Sequence, residues 1–190
     1  MQLDILRWIN GIWITLGVIW IIGALLMKRA ARVQSAGSRL IQGALTAAGY
    51  ILILQPNLGI GPLGRRFLPD SSGTACTGLA LTVCGAILAL SARLVLGRNW
   101  SATVTIKQDH EIIRRGPYAL VRHPIYSGLL LALLGTAIAI GQVRGLVALL
   151  LAFLGWWLKL RTEEAFMVEQ FGAQYIQYRQ QTKALIPFVL

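Results

Sequence analysis

The sequence predicts an all-α protein, a polytopic membrane bundle of about five transmembrane helices. The 190 residues are 56% hydrophobic and only 13% charged, which leaves too little polar surface for a soluble domain of this size. The apolar residues form runs long enough to cross a hydrocarbon core of about 30 Å. The basic residues, which give a formal net charge of +11, stand at the ends of those runs. This placement favours membrane orientation over nucleic-acid binding.

The first apolar run, residues 8–27, is long enough to span a membrane. A cleaved signal peptide would have a shorter apolar core with its positive charges in front. Here the basic residues follow the run, at Lys28, Arg29, Arg32 and Arg39. Because basic residues flanking a span favour the cytoplasmic side, the N-terminus is predicted to be outside.

Four further apolar runs bring the number of predicted spans to five. They cover residues 40–54, 73–96, 124–141 and 146–160. An odd number of spans places the C-terminus in the cytoplasm. Arg65 and Arg66 in a predicted outer loop weaken this orientation without reversing it. We expect one integral membrane domain over residues 1–190, in which a three-span region, 1–97, precedes the region 98–190 that carries the polar motifs.

The spans also contain small residues and two cysteines. The small residues of the fourth run recur every three or four positions, at Gly128, Ala132, Gly135 and Ala139. This spacing lets neighbouring helices approach closely. Cys76 and Cys84 are eight helical residues, or about 12 Å, apart, too far for a disulfide, and we expect buried structural thiols. The two histidines are not at ligand spacing, so no metal site is expected.

A polar insert separates the third and fourth runs. Its segment SATVTIKQDHEII carries β-branched residues in partial alternation and is predicted to be extended or a short irregular strand. The sequence RRGP then indicates a turn. Because His123 precedes a proline, it is pushed out of the helical region, whereas Pro124 suits the first position of a helix. The fourth helix is therefore predicted to begin at Pro124, with His123 at or near its cap.

The last two runs are joined only by QVRG, so their helices must pack antiparallel. Pro124 and Glu163 each lie about 18 residues, or about 27 Å of helix, from this turn. The segments VRHPIY and LRTEEAF should therefore meet at the cytoplasmic edge. One offers a helix N-terminus with Arg122 and His123, suited to an anion. The other offers Glu163 and Glu164, suited to a cation or to hydroxyl groups, so that together they would fit a zwitterionic ligand.

Simpler interpretations of these residues stay open. Arg122 can serve membrane orientation alone, His123 can be a helix cap, and the two glutamates can form the solvated face of a continuing helix. Beyond them, four larger side chains recur at helical spacing, at Met167, Phe171, Tyr175 and Tyr178. They predict an amphipathic helix that packs on the bundle or lies on the lipid surface, where it would cover the site and help exclude water.

Two segments resemble a known family. HEIIRRGPYALVRHPIYSG, residues 110–128, resembles the H-x-L-V-x-x-G-P-Y-x-x-x-R-H-P-x-Y-x-G signature of the isoprenylcysteine carboxyl methyltransferase family. RTEEAFMVEQFGAQYIQYRQQTKALIPF, residues 161–188, is similar to that family's C-terminal E-E-x-x-L-x-x-x-F-G-x-x-Y-x-x-Y block, which ends in I-P. The resemblance covers about residues 100–188 and is specific for the family, though not for a substrate.

The resemblance implies an S-adenosylmethionine-dependent membrane methyltransferase whose partners are the lipid bilayer and a lipidic or small hydrophobic methyl acceptor. The cofactor contacts that it implies are His110, Ile112, Ile113, Tyr118, His123, Pro124, Tyr126 and Glu163. Glu164 would support them, and Arg122 belongs to the anion-binding side. The sulfonium methyl group is already activated, so the protein mainly has to position the reactants in a dry site, and neither a metal nor a nucleic acid is implied.

One position departs from the family pattern. Members that methylate a prenylcysteine carboxylate hold it with an arginine one helical turn before the first glutamate. Here that position is Lys159, with Arg161 two residues later, and both are expected on the acceptor side. Lysine keeps the charge but loses the bidentate fork. Carboxylate O-methylation and methylation of a lipid amine or thiol therefore both stay open, as do an NADPH-dependent sterol-type reductase and a non-catalytic membrane scaffold.

Overall fold

The computed structural model describes residues 2–25, 32–97, 105–106 and 112–189, and these residues form the predicted all-α bundle. The helices are α1 Gln2–Leu25, α2 Ala36–Leu54, α3 Gly61–Gly64, α4 Ser72–Leu96, α5 Pro124–Ile140, α6 Val143–Phe171 and α7 Ala173–Gln181. Two 3-10 turns, Pro56–Leu58 and Gly116–Ala119, lie in the connections. In the polar insert, residues 105–106 form a strand β2, Thr105–Ile106, which pairs antiparallel with β1, Arg32–Val33.

Four helices, α1, α2, α4 and α6, are long and apolar enough to cross a membrane. The fifth apolar helix, α5, has 17 residues, which is at the lower limit of about 17 for a span. Eleven of those 17 residues are buried, so α5 is the centre of the bundle rather than a peripheral helix. Helix α4 packs along α5, α2 packs along α6, and α1 lies on α4. The chain is a multi-pass membrane protein, as its composition predicts.

The close approach of α4 and α5 depends on the small residues predicted for it. A Cβ atom added at Gly135 would lie 2.5 Å from the backbone nitrogen of Thr82, and one at Gly128 would lie 2.5 Å from that of Ala89. Side-chain hydrogen bonds add to this packing, because Trp13 of α1 donates to the hydroxyl of Thr136 over 3.0 Å. The expectation of a tightly packed bundle is therefore confirmed.

The expectation of buried cysteine thiols is wrong, since Cys76 and Cys84 are both exposed on α4. The inner face of α4 is instead formed by small side chains, among them Ala75, Gly78 and Thr82. Cys76 follows Ala75 by one residue, which turns it about 100° away from that face. Hydrophobic composition alone does not distinguish the inner face of a membrane helix from its lipid-facing side.

The QVRG connection does more than join α5 to α6. Arg144 within it is buried and donates from Nη1 to the carbonyl oxygens of Leu52, Ile53 and Gln55 at 3.1, 3.2 and 2.8 Å. Its Nε donates to the side chain of Gln142 over 2.7 Å. These carbonyls lie in the last turn of α2 and at the residue that follows it, where the helix itself offers no N–H partner. Arg144 therefore fastens the end of α2 to the hairpin.

The amphipathic helix predicted across Met167, Phe171, Tyr175 and Tyr178 is broken. Helix α6 ends at Phe171, and Gly172 has a φ of 51°, a left-handed conformation that glycine adopts without a Cβ clash. Helix α7 then begins at Ala173 and buries Tyr175 and Tyr178. The side-chain spacing continues across the break, so periodicity did not reveal it. Helix α7 is the predicted C-terminal amphipathic helix, packed on the bundle.

Candidate cofactor site

The start of α5 has the predicted geometry. Pro124 is the first residue of the helix, and His123 precedes it with a φ of −124°. The backbone N–H groups before the helix are fixed by residues 182–185, which we call the docking segment. The N–H of Arg122 donates to the carbonyl of Lys183 over 2.8 Å, and the N–H of His123 donates to that of Ala184 over 2.9 Å. The imidazole of His123 is thereby held at the end of the bundle.

The α5–α6 hairpin brings the two polar motifs level with each other, as its short turn predicts. The hydroxyl of Tyr126 donates to Glu163 Oε1 over 2.7 Å. His123 lies between the two carboxylates, with Nδ1 3.5 Å from Glu163 Oε2 and Nε2 3.2 Å from Glu164 Oε1. The site is therefore a compact cluster at the end of the hairpin.

Glu163 and Glu164 are adjacent but face different partners. Glu164 Oε1 accepts from Arg122, with Nη2 at 2.6 Å and Nε at 2.7 Å, and its Oε2 lies 3.5 Å from Arg179 Nε. Arg122 Nη1 also donates to the carbonyls of Arg179 and Thr182. Arg122 is thus bound within the protein and is not presented as a separate anion-binding group. Glu163 is the more accessible carboxylate, with 24% of its side chain exposed against 11% for Glu164.

The charge of His123 is set by these neighbours. Burial lowers the pKa of His123, but hydrogen bonds to Glu163 and Glu164 and their negative charges raise it by more, so the pKa lies above its ordinary value. The imidazolium form can donate from both ring nitrogens. His123 therefore stabilises two adjacent carboxylates that would otherwise repel each other.

Helix α7 covers the polar cluster from one side. The hydroxyl of Tyr178 donates to the backbone carbonyl of Tyr118 over 2.6 Å. Arg114 lies with its guanidinium 5.3 Å from the centre of the Tyr178 ring and donates to the carbonyl of Gln174 over 2.8 Å. Burial is the largest effect that raises the pKa of Tyr178, to about 12. The hydroxyl of Tyr178 therefore stays protonated near neutral pH and keeps its hydrogen bond to the carbonyl of Tyr118.

Lys159 and Arg161, expected together on the acceptor side, lie on different faces of α6. Lys159 Nζ is 5.8 Å from the centre of the Tyr126 ring, one helical turn before Glu163. That ring stacks on His123 at 5.7 Å and on Trp156 at 6.0 Å. Arg161 is exposed and lines a separate cavity with Arg122 and Glu164. The structure therefore places Lys159, but not Arg161, beside the Tyr126–Glu163 pair.

The remaining predicted cofactor residues differ in how far they join this cluster. Tyr118 and Pro124 are buried next to it, and Ile113 is half-buried and packs against the hydrophobic core. Ile112 is also half-buried, whereas His110 lies outside the described residues. Within the described ranges, no group of three metal-ligating side chains is placed to hold an ion.

The family resemblance implies a membrane-embedded pocket for a lipidic acceptor, and the structure has an apolar groove whose residues the sequence did not identify. It has a volume of about 560 Å³ and lies between α1, α2, α5 and α6. Its aromatic lining includes Trp13, Tyr50 and Trp156, with ring centres 5.1 Å apart for the first pair and 6.2 Å for the second. Trp156 also stacks on Tyr126, so one continuous aromatic row joins the groove to the carboxylates. No motif marks this groove, because its walls come from α1, α2 and the α5–α6 hairpin, which are far apart in the sequence.

The part of the chain that matches known proteins contains this site. Residues 74–174, which include most of α4 and all of α5 and α6, match a family model described as phospholipid methyltransferase. The protein-S-isoprenylcysteine O-methyltransferase of Schizosaccharomyces pombe is 35% identical over 119 residues, which cover 60% of this chain and 49% of the relative. Protein-S-isoprenylcysteine O-methyltransferase B of Arabidopsis thaliana is 30% identical over 117 residues, covering 59% and 58%. The chain spans about half the length of these curated relatives, and the resemblance predicted from the two motifs is confirmed.

Proposed function

This chain belongs to the phospholipid methyltransferase family, and we propose from that membership that it is an S-adenosylmethionine-dependent membrane methyltransferase. The observation that carries the proposal is the half-buried cluster of His123, Tyr126 and Glu163 at the end of the α5–α6 hairpin. It lies inside the matched region and at one end of an apolar groove. A methyl transfer from a polar cofactor to a lipidic acceptor needs this combination of a polar and an apolar site.

The described residues fit the polar groups of S-adenosylmethionine, which when bound supplies an activated methyl group. Glu163 accepts one short hydrogen bond from Tyr126 and keeps Oε2 only 3.5 Å from a nitrogen of His123. A carboxylate has about four lone-pair positions, so Glu163 can also accept from an ammonium group or from ribose hydroxyls. We assign His123, Tyr126 and Glu163 to direct contact with the cofactor, and Arg122 and Glu164 to positioning them.

The apolar groove provides the place for the acceptor chain. Its aromatic row ends at Tyr126, and the ammonium group of Lys159 lies above that ring. A lysine at this position favours an anionic acceptor and disfavours a cationic amine. The names of the curated relatives specify an isoprenylcysteine, whose carboxylate and prenyl chain match these two features. We therefore propose carboxylate O-methylation, with a neutral thiol as the second candidate.

The chemistry asks the protein to orient groups and exclude water. S-adenosylmethionine held by His123, Tyr126 and Glu163 would supply the methyl group, and a carboxylate acceptor would receive it on an oxygen that is already deprotonated. No proton has to be moved, so neither a general base nor a nucleophilic side chain is required. Lys159 holds the attacking anion, Tyr126 and Trp156 form the wall between the two substrates, and α7 shields the cluster from water.

We further propose that the site faces the cytoplasm and that the N-terminus is outside. The described basic residues next to the site end of the bundle include Arg39, Arg114, Arg115 and Arg179. At the opposite end, Arg66 is paired with Asp70 at 3.4 Å and Arg144 is internal. Arg65 is also exposed at that end and has no carboxylate partner among the described residues. More unpaired basic residues nevertheless lie on the side of the site, as expected for cytoplasmic segments.

Ligand binding by the purified full chain in detergent tests this function. S-adenosylhomocysteine is expected to raise the melting temperature, whereas NADPH is expected to leave it unchanged. Methyl transfer would then be measured with an S-farnesylcysteine derivative that carries a free carboxylate, with its primary amide as the matched control. Stabilisation by NADPH would support a reductase instead. A folded sample that responds to neither ligand would point to a scaffold.

A further inference from the structure

A second cavity lies on the face of α6 that carries Glu164 and has a volume of about 920 Å³. Four basic side chains line it, namely Arg122, Arg161, Arg179 and Lys183. Glu164 is the carboxylate among its lining residues. We call it the basic cavity. The apolar groove and the side chain of Lys159 lie away from it, so it is separate from the proposed acceptor path.

The positive charge of this cavity is only partly compensated. Glu164 is shared between Arg122 at 2.6 Å and Arg179 at 3.5 Å, and four cations against one carboxylate leave a net charge of +3. Among the described residues, neither Arg161 nor Lys183 has a carboxylate within ion-pair distance, and both are exposed. The cavity therefore favours a ligand with negative charge.

Apart from Gln180, the rest of the lining is apolar, and part of it lies deeper in the membrane than the basic side chains. Trp157 and Leu160 precede Arg161 on α6, and Trp157 is one helical turn, about 6 Å, deeper than the arginine. The apolar part of α6 ends at Leu160, so the basic rim lies where hydrocarbon gives way to lipid headgroups. The nearby tail exposes further large apolar side chains, with Phe188 at 93% and Val189 at 71%. A fully soluble anion would leave these apolar walls unused.

We propose that the basic cavity binds one anionic phospholipid, with its phosphate headgroup on Arg161 and Lys183 and its acyl chains along Trp157 and Leu160. The volume is within the range of about 300–1,000 Å³ found for ligand pockets. Charge attraction selects the anionic headgroup, and the apolar walls select a lipid over a free phosphate. The bound lipid would rest against the Arg122–Glu164 pair, outside the site proposed for methyl transfer.

Binding of fluorescently labelled phosphatidylglycerol to the full chain in detergent, followed by anisotropy, tests the proposal. The double substitution Arg161→Gln with Lys183→Gln is expected to weaken binding by about tenfold or more, because two of the headgroup's cations are removed. The matched control, Arg65→Gln with Arg115→Gln, removes two exposed arginines elsewhere and should change binding less than about twofold. Labelled phosphatidylcholine, which has no net charge, should bind the wild-type chain more weakly by about the same tenfold.

Three outcomes would overturn the proposal. The control double substitution could weaken binding as much as the double substitution in the cavity, which would indicate general charge attraction. Phosphatidylcholine could bind as tightly as phosphatidylglycerol. Glycerol 3-phosphate could displace the labelled lipid at equal concentration, which would identify a soluble phosphate as the occupant. If the double variant does not fold, each single substitution is measured instead and should weaken binding about threefold. Unchanged binding in both single variants would also overturn the proposal. None of these measurements depends on methyl transfer.

Discussion

The hydroxyl of Tyr126 donates a 2.7 Å hydrogen bond to Glu163, and this contact joins the first turn of α5 to α6 across 37 residues of sequence. The same tyrosine ring stacks on His123 and Trp156 and lies under the ammonium group of Lys159. One side chain therefore touches the groups assigned to the cofactor and the group assigned to the acceptor. Substitutions around it should separate the two assignments.

Glu163→Gln should weaken binding of S-adenosylhomocysteine. The amide keeps the shape but loses a charge-assisted hydrogen bond, which contributes about 1.5–3 kcal/mol, or roughly a ten- to hundredfold change in affinity. Isothermal titration calorimetry in detergent measures the effect. Glu169→Gln is the matched control, because it makes the same substitution at an exposed position further along α6. Equal losses in the two variants would contradict a direct role for Glu163.

Lys159→Met should act on the acceptor rather than on the cofactor. Removal of the ammonium group should raise KM for an acidic acceptor and lower kcat/KM by roughly tenfold or more, as expected for loss of a charge pair in a partly buried site. Affinity for S-adenosylhomocysteine should change little. Lys159→Arg is the matched control and should retain most activity, since it keeps the charge. If Lys159→Met weakens cofactor binding as much as Glu163→Gln does, the two halves of the site are not separate.

The thermal stability of the chain should decrease as the pH rises above about 6.5, the ordinary pKa of histidine. The folded-state pKa of His123 is raised by its two carboxylate partners, so the stability that it contributes is complete below the unfolded pKa. That contribution is lost as the pH rises through the folded pKa. Melting temperatures between pH 6 and pH 9 measure this trend. His123→Gln should flatten it, and an equally steep trend in that variant would assign the effect to another group.

Gly135→Ala should destabilise the bundle, since the new Cβ would lie 2.5 Å from the backbone nitrogen of Thr82. Overpacking of this kind costs about 1–3 kcal/mol. Gly11→Ala is the control, because no atom outside the neighbouring backbone of α1 lies within 4 Å of a Cβ at that position, and there alanine should be neutral or slightly stabilising. The apparent melting temperature in detergent distinguishes the two. A normal melting temperature for Gly135→Ala would mean that α4 and α5 separate easily.

Labelling of single cysteines should report opposite sides of the membrane for Asp70 and Gln181. In a background without Cys76 and Cys84, Asp70→Cys is expected to react with an impermeant thiol reagent in intact cells, and Gln181→Cys only after the membrane is opened. Both positions are exposed in the structure. Because the basic residues near the site underlie this orientation, the reverse labelling pattern would show that it is inverted.

The sequence predicted the features that follow from local rules or from one short connection. Pro124 fixed the start of α5 by its own geometry, and the QVRG turn brought Tyr126 level with Glu163. The break at Gly172 was missed because a glycine can continue a helix or end it, and the periodic side chains continue on both sides. The exposure of Cys76 was missed because a lipid-facing side chain is as apolar as a buried one.

Other features depend on partners that are distant in sequence. The pairing of Arg122 with Glu164 was not predicted, since both residues were assigned to a ligand; their charges instead compensate each other within the protein. In the sequence Arg144 is part of the short QVRG connection, whereas in the structure it binds the carbonyls at the end of α2. Lys159 and Arg161 were expected together on the acceptor side, but only Lys159 lies beside Tyr126, whereas Arg161 lines the basic cavity.

The docking segment has a consequence for the order in which the chain folds. Its hydrogen bonds to Arg122 and Ser127 connect positions about 60 residues apart, whereas α5 and α6 meet across a two-residue connection. Contacts between distant positions form later, because a longer loop must first be closed. The α5–α6 hairpin can therefore form before the backbone at His123 is fixed. The proposed cofactor site would then be completed only when residues 182–185 close onto the preformed hairpin, so its maturation depends on the last residues of the chain to pack.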